Sequence, residues 1–476
     1  MEWSKLELTG AEFRDLVNAA MERVARWVDT LDRQPASDVK DAETRARSLV
    51  EERLPRQGSP LDELLELLFD RAVPLSLNTA GPGYLAYIPG GGLLHAAVGD
   101  LIADAVNRYV GVWIAAPGMV QLEANVVRWF CEIAGYPEGS GGFLTSGGSL
   151  ANFTAIVAAR FARLGDRLEG GTIYASDQTH SSIPKAARLA GFPPDSVKLI
   201  PSDETFRIRL DLLERQIAAD RRAGKEPFLL VGNAGTTNTG AVDDLQALAD
   251  LAEREGLWFH VDAAYGGFFN LTERGRAVLR GIERSDSVVL DPHKTLFFPY
   301  GTGSLLVRDR TKLEEAHALS ADYLPEMRRA PDLVDFCQLS PELSRPPRGL
   351  RVWLALKLCG IEAFARALDE KLDLAQWAAA QLREIEGIEI VAEPQLSTLA
   401  FRLTRPGMDT PELNRLNRRF LELINERRRV YLTGTMLGDR FVLRICVVSF
   451  RTHLDRMEQA LEDIRAAVSE LAGAGD

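Results

Sequence analysis

Lys294 is the side chain in this sequence best placed for covalent chemistry. It stands in SVVLDPHKTLFFPYGTG, between two apolar stretches that are expected to shield most of it from water. Desolvation disfavours an ammonium and favours the neutral, nucleophilic amine. Such amines form imines with aldehydes. His293, beside it, is within reach of a phosphate or of the imine. A second chemical residue closes the apolar run LWFHVD: Asp262, a carboxylate at the inner end of a strand, where an isolated charge is costly. It fits either a cap on the next segment or a hold on a protonated ring nitrogen. Ala264, two residues on, is small enough to admit a flat ring.

Three more segments carry polar groups. GFLT leads into SGGS and then a helical pattern, so Gly147 and Gly148 allow close backbone approach, Ser149 offers a hydroxyl, and the helix start presents unpaired N–H groups to an anion. Taken alone, SGGS reads better as a helix cap without ligand, and neither the P-loop nor the GxGxxG pattern occurs. TIYAS leads to DQTHSS, which sets His180 at a strand-to-helix turn, as a structural residue or as a ring stacked on a ligand. PFLLVGN is followed by AGTTNTGAVDD, where Thr237 belongs to a polar cluster that turn chemistry also explains. A phosphate cradle, a stacking His, a carboxylate for a pyridinium nitrogen and a buried Lys are together what pyridoxal phosphate requires.

These residues share one placement: each follows a short β-rich run. GFLT, TIYAS, VKLIP, PFLLVGN, LWFHVD, SVVLD and GSLLVR alternate with mostly helical patterns between about 140 and 310. Nearly all-apolar strands alternating with helices predict an α/β fold with a mainly parallel sheet covered on both faces. Ligands of such sheets sit beyond the carboxyl ends of the strands. Residues 1–80 read as helical, 81–360 as a large α/β domain, and 361–476 as a smaller α+β domain with strands IEIVAE, TLAFRLT and FVLRICVV.

With 476 residues, 46% hydrophobic and 26% charged, the chain can build a large core, which excludes fibrous and disordered classes. A net charge of −12 argues against a nucleic-acid partner, and the arginine run 427–429 reads as solvated cations near a helix end. Cys131, Cys337, Cys359 and Cys446 lie too far apart in sequence for a thiolate metal site, and no metal is expected. No apolar run spans a membrane and the N-terminus lacks a signal core, so a cytoplasmic location is expected. Ser149, Asp262 and His293 also follow the chain order of an α/β-hydrolase triad, but Ala151 stands where the nucleophile elbow needs glycine.

TSGGSLAN, SDQTHSS, GTTNTGAVDD, HVDAAYGG and DPHK, in this order, resemble the group II pyridoxal-phosphate decarboxylases, which include aromatic-L-amino-acid, tyrosine, histidine and glutamate decarboxylases. The resemblance implies a type I aminotransferase-like fold and α-decarboxylation of an L-amino acid. It implies that Lys294 carries the cofactor, Asp262 pairs with the pyridine nitrogen, and His180 and Ala264 cover the ring's two faces. Gly148, Ser149 and His293 hold the phosphate, with Thr237 nearby. It further implies a homodimer with shared active sites and intertwined N-terminal helices, and a substrate pocket with Tyr87, Ile88, Pro89 and Trp113. The sequence departs from the family at Leu150 and Thr295. It also has Phe336 where aromatic decarboxylases carry the tyrosine that reprotonates Cα, which raises oxidative deamination to an aldehyde as the alternative outcome; Tyr323 is the nearest other tyrosine.

Overall fold

The computed structural model describes residues 6–51, 53–88, 90–318, 330 and 332–473. The apolar runs become strands β1 (Gly141–Thr145), β2 (Gly171–Ser176), β3 (Val197–Ile200), β4 (Glu226–Asn233), β5 (Trp258–Asp262), β6 (Ser287–Leu290) and β7 (Gly303–Val307). They form one sheet in the order β1-β7-β6-β5-β4-β2-β3. Only β7 runs antiparallel to its neighbours, so the expected mainly parallel sheet is observed. β1, β5, β6 and β7 are buried throughout, as a sheet covered on both faces requires. The carboxyl ends of β1, β2, β4, β5 and β6 lie along one edge, and Gly303 at the start of β7 pairs with Thr145 there.

A second sheet of β8 (Ile388–Ala392), β9 (Thr398–Leu403), β10 (Thr433–Leu437) and β11 (Arg440–Cys446) is antiparallel throughout, ordered β10-β11-β9-β8. Its inner face, with Leu399, Phe401, Leu443 and Ile445, packs on Phe420 and Ile464 of helices Thr410–Glu426 and Leu454–Gly473. The arginine run read as solvated is instead paired. Arg429 reaches Asp463 at 2.6 Å, Arg428 reaches Asp38 at 2.8 Å, and Arg427 pairs with Glu470. The N-terminal helix Gly10–Val28 opens on a capping box of Thr9 and Glu12 and has no buried residue in this chain. Among the described residues, no helix is long and apolar enough to cross a membrane.

One ion pair fastens the segment before helix Arg348–Cys359 to the large sheet. Arg345 Nη2 donates to Glu123 Oε1 at 2.6 Å and to the Leu144 carbonyl at 2.8 Å, with both side chains buried. Removing one partner of such a pair strands the other charge, at a cost of about 3–5 kcal/mol. Glu123→Leu is therefore expected to lower the denaturant midpoint sharply. Pairing it with Arg345→Met is expected to recover much of the loss, as read by urea unfolding followed by circular dichroism.

Candidate active site

A cavity of about 340 Å³ opens where the strand ends converge. Lys294, His293, Asp262, Ala264, His180, Thr237, Gly147, Gly148 and Ser149 all line it, so the structure gathers every residue predicted to bind cofactor. Lys294 sits on the short helix Pro292–Thr295 after β6. Its side chain is 25% exposed rather than sealed, and Nζ lies 3.1 Å from Asp291 Oδ2, a carboxylate 1% exposed. The partner is thus a charge three residues back in sequence, which the sequence reading did not use. Asp291 Oδ2 also lies 3.6 Å from His293 Nε2. Burial pushes the His293 imidazole below its usual range, with Asp291 opposing.

Asp262 is 8% exposed and keeps two donors, Asn152 Nδ2 at 2.9 Å and the Ala264 N–H at 3.2 Å. Alternation along β5 puts Trp258, His260 and Asp262 on one face, while Phe259 and Val261 pack on the other. His260 is fully buried, with Nε2 2.9 Å from Asn152 Oδ1 and Nδ1 2.8 Å from Ser287 Oγ on the paired position of β6. Burial drives its imidazole well below the usual value, and the nearby Asp262 only partly opposes this. Asn152 also donates to Ser182 Oγ at 2.9 Å, which lies 2.8 Å from His180 Nδ1. Asn152, Ser182 and His260 escaped the sequence reading. The signal for His260 was a polar residue inside an otherwise apolar strand.

The anion cradle is a close-approach structure. Helix Gly148–Leu164 starts without a side-chain cap. A Cβ at Gly148 would lie 2.8 Å from Asp291 Oδ2 and 3.3 Å from Ala264 Cβ, so it would have to displace the Asp291 carboxylate. The Thr237 loop is braced from the second sheet. Arg444 on β11 donates to the Asn238 carbonyl at 2.8 Å and to the Thr237 carbonyl.

Other expected residues lie elsewhere. Phe336, proposed as catalytic, is 1% exposed with the Arg345 guanidinium 4.6 Å above its ring, and it faces a different cavity beside Tyr136 and Gly139. Its segment is pinned there, because the Trp113 N–H donates to Asp335 Oδ1 at 2.7 Å and the Cys337 N–H to the Gly111 carbonyl at 3.0 Å. Tyr87, Ile88 and Trp113 are not among the residues lining this chain's cofactor cavity. Ile88 is buried in the main core, Trp113 packs against that core, and Tyr87 stacks on Tyr84 at 6.5 Å and is 55% exposed. Pro89 and Tyr323 lie outside the described residues. No hydrolase triad forms, since His293 faces Asp291 and Asp262 is held by Asn152.

Residues 44–404 match the pyridoxal-dependent decarboxylase conserved domain. The chain belongs to this family. It is 35% identical over 469 residues to an aromatic-L-amino-acid decarboxylase of Bacillus atrophaeus, covering 98% of each chain. The solved structure of Oryza sativa TDC with PLP and tryptamine superposes with a TM-score of 0.92 at 28% identity, covering 98% of this chain and 100% of that one. Catharanthus roseus tryptophan decarboxylase in complex with L-tryptophan gives 0.90 at 29%, covering 98% and 99%. The chain is thus a pyridoxal-phosphate-dependent amino-acid decarboxylase with the type I fold.

The residues present fit that cofactor. Among the described residues, His293 Nδ1 and Asp291 Oδ1 are buried in the cavity wall without a hydrogen-bond partner, beside an uncapped helix start and a primary amine. Remote from the cavity, the decarboxylase holds His317 below its ordinary value by burial. A histidine kept neutral in the fold but free to protonate when unfolded contributes stability above about pH 6.5, and that contribution is lost as pH falls below it. His317→Phe is therefore expected to lose less stability than wild type between about pH 6.5 and 5, measured as denaturant midpoint against pH.

Proposed function

We propose that this decarboxylase acts on an aromatic L-amino acid, releasing CO₂ from Cα and yielding the corresponding amine. The observation that carries the proposal is the convergence of Lys294, Asp262 and His180 on one cavity. The aromatic preference is carried over from the named relatives, which act on or bind aromatic amino acids.

In this reading Lys294, whose amine lines the cavity, would hold the cofactor. Asp291, 3.1 Å from Nζ, would hold and orient that amine. The bound cofactor supplies an electron sink for the pair left behind when the carboxylate departs as CO₂. Asp262 would keep a proton on the pyridine nitrogen, and the donors from Asn152 and Ala264 hold its carboxylate in place for that task. His180 and Ala264, which line the cavity, would confine the bound ring. Gly147, Gly148, Ser149 and His293 hold the phosphate at the helix start, where the helix dipole favours an anion. Thr237 braces the ring from the loop fixed by Arg444.

The chain is further proposed to work as a homodimer in the cytoplasm. Leu94, Val98, Leu101 and Ile102 of helix Leu94–Val106 are exposed, as are Phe13, Leu16 and Met21 of the first helix, which suits burial against a second copy. Tyr87 and Trp113 would then meet substrate across the interface. The free thiols at Cys131, Cys337, Cys359 and Cys446 suit a reducing compartment.

Oxidative deamination to the aldehyde is the second reading, resting on Phe336. The decarboxylase relatives favour the amine instead. An amino-acid panel assayed for CO₂, amine, aldehyde and peroxide together is expected to give CO₂ and amine in equal amounts from an aromatic substrate, without peroxide. Lys294→Ala is expected to lose at least about a thousandfold in turnover. Absence of CO₂ from every aromatic amino acid would overturn the substrate assignment. Ile102→Asp is expected to yield monomers in sedimentation velocity and to lose activity with the interface.

A further inference from the structure

The polar chain beneath the cavity has a direction that chemistry fixes. Asp262 Oδ2 only accepts, so the Asn152 group 2.9 Å away is its NH₂, and that NH₂ also donates to Ser182 Oγ at 2.9 Å. Asn152 Oδ1 therefore faces His260 Nε2, 2.9 Å away, and Nε2 must carry a proton to donate. At the far end the Trp258 indole N–H, which only donates, meets Ser287 Oγ at 2.8 Å. That leaves the Ser287 hydroxyl proton for His260 Nδ1 at 2.8 Å. On the cavity side, the N–H and hydroxyl of Ser182 both point at His180 Nδ1, at 3.2 and 2.8 Å, which leaves the ring proton of His180 on Nε2. The run from Trp258 to Asp262 and to His180 Nδ1 thus has its donors matched to acceptors, in a region where an unmatched group is costly, while the His180 Nε2 proton faces outward from the run.

We propose that Asn152 and His260 are positioning residues: His260, set by Ser287 and Trp258, orients the Asn152 carboxamide, which clamps the Asp262 carboxylate and, through Ser182, fixes the ring of His180. The inference rests on the reading of the cavity as the pyridoxal-phosphate site. It makes the group beside the ring nitrogen and the group on the ring face one unit, so that loosening Asn152 disturbs both. Rotation of the carboxamide by half a turn would point its oxygen at Asp262, and the His260 donor forbids it.

The test uses the full-length holoenzyme and pyridoxal 5′-phosphate as the probe. His260→Phe keeps a flat ring and removes the donor, and His260→Gln restores an N–H. His260→Phe and Asn152→Ala are each expected to speed release of the cofactor about tenfold, the scale of one lost hydrogen bond to a charged group. Both are also expected to shift the visible absorption of the bound cofactor, and to lower kcat with little change in KM. The double variant is expected to be no worse than Asn152→Ala alone, because His260 acts through Asn152. His260→Gln is expected to recover most of the wild-type spectrum. If His260→Phe does not fold, Ser182→Ala, at the cavity end, is expected to show the same spectral shift and faster release. Variants that lose thermal stability while keeping the wild-type spectrum and release rate would overturn the inference, as would strictly additive effects in the double variant. Wild-type protein that takes up no pyridoxal phosphate would overturn the reading of the cavity itself, and the inference with it.

Discussion

The architecture of the site follows from one constraint: the Asp262 carboxylate must be taken almost wholly out of water and still keep its charge satisfied. A buried charge with no partner costs far more than the few kcal/mol that separate folded from unfolded chains. The solution is spread over three elements. β5 supplies the carboxylate and, two residues earlier on the same face, His260; β6 supplies Ser287 in register; the helix after β1 supplies Asn152. Slipping β5 by one residue would send Asp262 to the opposite face and break each of these contacts at once. The register of the central sheet is thereby tied to the chemistry at its edge.

The same edge gathers the remaining groups because a mainly parallel sheet points successive strand ends the same way. Lys294 arrives from β6, His180 from β2, the phosphate cradle from β1 and Thr237 from β4. Close approach then sets the fine geometry. Gly148 lets the helix start lie against Asp291 and Ala264, and Gly90, whose Cβ would lie 2.0 Å from the His293 carbonyl oxygen, lets the preceding loop run over the lysine helix. The smaller sheet contributes as well. Arg444, 4% exposed, donates to the carbonyls of the Thr237 loop, so a strand of the second core holds one wall of the cavity formed by the first.

Much of this was legible in the sequence because burial on both faces writes strands as apolar runs, and each of the seven is present. β10 was not: TGTML has a glycine and two threonines and makes a partly exposed edge strand, so no apolar run marks it. Among site residues, those at strand ends could be read from position. Asn152 could not, because its carboxamide is matched only across elements far apart in sequence; Ser182 stands two residues from His180 but meets Asn152 only in the fold, and His260 showed only as a polar residue inside an apolar strand. Asp291 was overlooked although it stands three residues from Lys294, since nothing short of the turn into helix Pro292–Thr295 aims it at the amine. Phe336 stands apart from this chain's cavity: a matching place in sequence says nothing of where a side chain points, and this ring is buried under the Arg345 guanidinium.

The central claim is that one amine, Lys294, carries the cofactor. The most direct measurement is borohydride reduction of the yellow holoenzyme followed by digestion and peptide mass mapping. A phosphopyridoxyl group is predicted on the peptide containing DPHK, at Lys294 alone. Recovery of the label on any other lysine, or of none after reduction of coloured protein, would contradict the account.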